Sequence, residues 1–149
     1  FFMDILHHVD IARTCAAVRR VMRPGGTIVG DELYTSRFLQ RSIRESWVVD
    51  RLLYRRMVRY VYGRDDPYIT ADEHKIDETG LAHVAAMCRP ISYAWFNLFV
   101  GRIVPDRSDA VCKLDRTLAR AFGPLGRLVA GRVVFDGGSI AGLRPSASS

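Results

Sequence analysis

The chain is poor in cysteine: Cys15, Cys88 and Cys112 are odd in number, widely spaced and form no Cys-x-x-Cys pair. That excludes a disulfide framework and a thiolate metal site, and fits small buried thiols in a reducing, cytoplasmic setting. Long apolar runs are also missing, since none reaches the ~20 residues that cross a bilayer. Aromatic residues are not interleaved with the basic ones as stacking platforms, and a net charge of +6 is modest for a nucleic-acid binder, so that partner class is set aside. An initiator methionine is absent as well. The chain opens at Phe1 inside what reads as a buried strand, and is expected to be a fragment of a longer domain. What remains, 48% hydrophobic and 26% charged over 149 residues, is the composition of a globular domain with a real core.

The most informative stretch is 1–33. Residues 1–6 are almost wholly apolar, as a strand buried on both faces of a parallel sheet should be. Asp10 stands where an N-cap belongs. Ile11, Cys15, Val18 and Met22 then recur at helical spacing, while Arg13, Arg19, Arg20 and Arg23 fall mostly off that stripe. The helix must stop at Arg23, because the following proline disfavours the α region there. Pro24-Gly25 suits the middle of a type II turn, with glycine free to take positive φ. The chain returns as an apolar strand over 27–30 that ends in Asp31-Glu32. Strand, helix and strand in this order predict a parallel crossover.

Beyond it, 36–62 reads as a basic amphipathic helix, or two, with Arg37, Arg41, Arg44, Arg51, Arg55 and Arg59 within one arc opposite Leu39, Ile43, Leu53, Met57 and Val61. Such a segment is a solvated covering helix, a lid, or a surface for anionic lipid. Glycine and proline mark a turn over 63–67, and Thr70-Ala71-Asp72-Glu73 matches a capping box. A helix is predicted over 76–88 with Ile76, Leu81, Val84 and Met87 on one face, then an aromatic strand over 91–104. A further helix capped by Ser108 or Asp109 should bury Val111, Leu114, Leu118 and Phe122. A last strand is expected over 128–135, and a loose tail over 136–149.

Parallel strands present ligands at their carboxyl ends, which here means Leu6-His7-His8 and Asp31-Glu32, on neighbouring strands spaced about 4.8 Å apart. Consecutive histidines in a strand point to opposite faces, so no shared metal is expected. Leu6-His7-His8-Val9-Asp10, followed by Val18-Arg19-Arg20-Val21-Met22-Arg23-Pro24-Gly25-Gly26, resembles the fourth strand, following helix and fifth strand of class I S-adenosylmethionine-dependent methyltransferases. The resemblance is clearest over 1–33 and extends by order of elements to about 135. It implies an α/β, Rossmann-like methyltransferase sheet, here truncated, with the basic helical segment 36–75 inserted as a lid. It implies S-adenosyl-L-methionine as cofactor, contacted by Leu6 and His7, with His7 and His8 as candidate catalytic bases. Asp31, Glu32 and His74 are the matching substrate-binding candidates, for a small-molecule or lipid-like acceptor.

In the resembled family the first half of the domain supplies the glycine-rich loop and the acidic residue that hold the cofactor. Neither is visible here, and Gly137-Gly138 does not replace the loop. The chain alone is therefore expected to be inactive, to bind the cofactor weakly, and to expose an apolar sheet edge at 1–6. The alternative is a non-catalytic methyltransferase-like module that docks on a membrane surface or protein partner through 36–62.

Overall fold

The computed structural model describes residues 1–39, 53–63, 75–101 and 103–139. Strand β1 (Phe2–Met3), helix α1 (Ile11–Val21) and strand β2 (Thr27–Leu33) form the expected parallel unit, with Phe2 opposite Gly30 and Met3 opposite Asp31. Asp10 caps α1, its carboxylate accepting the Arg13 amide at 2.9 Å. Ile11, Cys15, Val18 and Met22 pack inward. Gly25 has φ of 73°, and the Gly26 amide closes the turn on the Arg23 carbonyl at 3.0 Å. That is the geometry Pro-Gly was read to supply.

Helix α4 (Glu78–Met87) runs directly into β3 (Cys88–Phe96), and β4 (Arg132–Ser139) completes a sheet of order β1-β2-β4-β3. The last strand is antiparallel to both its neighbours. Between β2 and α4 lie α2 (Arg37–Leu39) and α3 (Tyr54–Tyr62), and α5 (Asp109–Phe122) follows β3. The core gathers Leu6, Ile28, Tyr34, Ile76, Val84, Met87, Val133 and Phe135 between sheet and helices. The stripe read on 76–88 is the one that is buried. Gly30 lets the Phe135 ring lie on the β2 backbone, because a Cβ there would overlap the ring.

Several expected boundaries move, each for a local reason. Strand β1 is two residues long and lies at the sheet edge, with Phe1 and Met3 exposed, instead of filling 1–6 with both faces buried. Asp4 takes a φ of 49°, which no strand can continue, and a 3-10 turn follows over Leu6–His8. Strand β2 continues through Asp31-Glu32 to Leu33 because β4 pairs with it throughout, from Thr27 opposite Gly138 to Leu33 opposite Arg132. For the same reason residues 136–139 belong to a strand and not to a tail. Ladder partners on both sides compensate the poor strand propensity of Gly137 and Gly138. Strand β3 ends at Phe96 where Asn97 turns to a φ of 54°, well short of 104, and its register shifts between Cys88 and Ile91, where Pro90 has no amide to give the ladder.

Helix α5 is rotated from its expected face. Leu114 and Phe122 are exposed, and Asp115 and Ala119 are buried instead. The carboxylate of Asp115 accepts the amides of Leu98 at 3.2 Å, Phe99 at 2.9 Å and Val100 at 3.4 Å, so the helix is turned to satisfy the loop that follows β3. Of the basic segment, α3 buries Val58 and Val61 and exposes Arg56, Arg59 and Tyr60, while Leu53, expected inside, is exposed. Arg41, Arg44, Arg51 and the capping box at 70–73 lie outside the described residues. Among those described, no helix is long and apolar enough to cross a membrane.

Candidate functional site

Two turns meet at the carboxyl ends of β1 and β2. Asp4 leaves β1 with positive φ and its amide bonds the Asp31 carbonyl at 3.0 Å, which turns the chain back over the end of β2. The 3-10 turn then lowers Leu6 and His7 into the core, 0% and 5% exposed, and leaves His8 outside. The two imidazoles lie against each other with centroids 4.0 Å apart. They are therefore not on opposite faces of a strand, and the argument that placed them so does not apply to a 3-10 turn.

Glu32 is the partner that holds this turn. Its side chain has no exposure, and its Oε1 accepts the amides of Ile5 and Leu6, each at 3.0 Å. Its Oε2 lies 3.1 Å from His7 Nδ1. An ionised carboxylate has no proton to donate, so in this pair Nδ1 carries the hydrogen and Nε2 presents its lone pair. A buried carboxylate that orients an imidazole in this way makes the far nitrogen a proton acceptor and stabilises the imidazolium that results.

Asp31 lies beside this pair but belongs to a different network. Arg132, at the start of β4, donates from Nε to Asp31 Oδ1 at 3.0 Å and from an Nη to Asp4 Oδ1 at 2.7 Å. Burial opposes the charged guanidinium, yet the hydrogen bonds to Asp4 and Asp31 outweigh it and hold the Arg132 pKa above its ordinary value. Asp4, His7 and Glu32 bring one ligand atom each within 4.8 Å of one another. A cation there would have to displace Arg132 from Asp4 and compete with two amides for Glu32, which disfavours metal binding.

Of the residues singled out in the sequence, Leu6, His7, His8, Asp31 and Glu32 are brought to one end of the sheet, and His74 lies outside the described residues. Leu6 contributes a buried side chain and an amide already bonded to Glu32. Asp4 and Arg132 were missed. Arg132 is distant in sequence, and only the pairing of Leu33 with Arg132 shows that the two strands end together. Asp115 was passed over because it interrupts an apolar stripe. No protein-family model, no curated protein and no solved structure matches the chain.

Proposed function

We propose that the chain is the C-terminal part of an S-adenosylmethionine-dependent methyltransferase acting on a small-molecule or lipid-like acceptor. The observation that carries the reading is the His7–Glu32 pair, 3.1 Å apart and buried at the ends of two parallel strands. Open α/β sheets bind their ligands at that end. The cofactor, when bound, supplies an electrophilic methyl group. What the chain's own residues contribute is the removal of the acceptor's proton: His7 Nε2 takes it, and Glu32 stabilises the resulting imidazolium across Nδ1. Asp31 and Asp4, both held by Arg132, shape the rim around that nitrogen. The described residues fit part of a cofactor site and no more, since Leu6 and His7 are buried and the groups that hold the ribose are expected upstream of Phe1.

The test extends the protein upstream of Phe1 and measures S-adenosylmethionine binding by calorimetry and labelled-methyl transfer into a lipid and small-molecule extract. Micromolar binding is expected, with transfer that falls about 100-fold or more in His7→Asn. No binding, or transfer unchanged in His7→Asn, overturns the reading. A docking module is favoured by one observation, the exposed Arg56, Tyr60 and Tyr62 of α3 beside buried Val58 and Val61. Salt-sensitive pelleting on anionic vesicles, with no methyl transfer, selects that alternative.

A further inference from the structure

Between the end of β3 and α5 lies a groove of about 520 Å³, bordered by Ala94, Phe96 and Ala119 on its apolar side and by Arg116 and Arg120 at its rim. That volume falls in the ~300–1,000 Å³ range of small-ligand sites. Arg116 and Arg120 stand one helical turn apart on α5, and both are exposed. Arg116 Nε is tied to the Cys112 carbonyl at 3.3 Å, which lays the guanidinium along the helix. Neither arginine forms an ion pair among the described residues. Asp115 also lines the groove, but it is buried and its oxygens are taken by the amides of Leu98, Phe99 and Val100. The lining thus keeps two cations free to receive an anion, next to an apolar wall.

We propose that this groove binds an amphipathic anion, with its carboxylate or phosphate head on Arg116 and Arg120 and its alkyl or flat apolar body against Ala94, Phe96 and Ala119. Two arginines at i and i+4 are about 5–6 Å apart at their Cβ atoms, a spacing from which both reach one head group. The apolar body gains its affinity from leaving water, and the head fixes its direction. Strands β2 and β3 both run antiparallel to β4, so the groove opens at the same end of the sheet as His7 and Glu32. The proposal does not depend on methyl transfer.

The experiment titrates the chain with monomeric decanoate and with decanol, by calorimetry and by amide NMR. Decanoate is expected to bind about ten-fold or more tightly than decanol, with shifts at residues 94–97 and 112–120. In Arg116→Ala/Arg120→Ala the decanoate affinity falls about ten-fold or more while decanol is unaffected. The exposed Ala94→Leu narrows the groove and weakens both ligands. Equal affinity for decanoate and decanol, an unchanged double variant, or shifts confined to other faces overturns the proposal. Phosphatidylglycerol vesicles separate the sources of the anion. Pelleting that needs the same two arginines assigns it to lipid, and decanoate binding without pelleting assigns it to a free amphiphile. Pelleting without decanoate binding overturns the groove in favour of surface attachment.

Discussion

Glu32 serves three donors with two oxygens, and its replacements separate structural from chemical roles. In Glu32→Ala the amides of Ile5 and Leu6 and the His7 ring lose their acceptor together. The expected loss is about 3–5 kcal/mol, read from urea unfolding. Glu32→Gln is milder, costing about 1–3 kcal/mol, because the amide oxygen can take over both backbone donors. Its NH2 then faces His7 Nδ1, which must become an acceptor, so the ring hydrogen moves to Nε2. Nitrogen-15 spectra of the two imidazole nitrogens should show this exchange of tautomer, and any transfer that uses Nε2 as a base should fall with it. Unchanged spectra would show that Oε2 does not set the His7 tautomer.

Gly30 is a second such position. Gly30→Ala places a methyl group inside the Phe135 ring and should cost about 3 kcal/mol. In a Phe135→Leu background that cost should shrink to about 1 kcal/mol, a coupling that a double-mutant cycle measures. The residues at this end of the sheet were legible as a group, because His7-His8 and Asp31-Glu32 follow apolar runs. Their partnership was not, because whether a carboxylate faces a substrate or two amides depends on a 3-10 turn that periodicity does not show.

At the scale of elements, local capping and turn chemistry reads well in the sequence, whereas long-range hydrogen bonding does not. Asp10, Pro24-Gly25 and the stripe of α4 act within a few residues of themselves, and the structure has them as expected. Helix α5 shows the contrary case. Its apolar spacing points to Leu114 and Phe122, but Asp115 anchors the loop after β3 and sets the rotation of the helix. Asp115→Ala leaves the buried Leu98 and Val100 amides and the Phe99 amide without an acceptor. It should cost about 3 kcal/mol or more, with amide exchange at 98–100 accelerated before that of β4. Asp115→Asn keeps one acceptor oxygen and should recover part of the loss. If Asp115→Ala melts with the native protein, the rotation of α5 has another cause. Strand β4 was misjudged for a related reason: its Gly137 and Gly138 are poor strand formers alone, and only the ladders on both sides hold them extended.

For the molecule as a whole, the sheet is finished unevenly. Strand β4 is paired on both sides, while β1 is an edge of two residues whose surroundings are apolar and open. Phe1 is 79% exposed, Met3 57%, Ile5 50% and Val21 73%. Exposed apolar groups beside unpaired strand amides favour pairing with another chain, and nothing charged on β1 itself opposes it. The described chain should therefore associate as its concentration rises, and sedimentation velocity over a dilution series should show the sedimentation coefficient increasing. Met3→Lys places a charge in the middle of that patch and should return the protein to a monomer without altering its unfolding transition, since the side chain is mostly outside the core. The same substitution on an opposite surface, at exposed Leu125, should leave association as it was. A monomer at every concentration, or association that survives Met3→Lys and yields to Leu125→Lys, would move the contact surface from the β1 edge to the turn after α5.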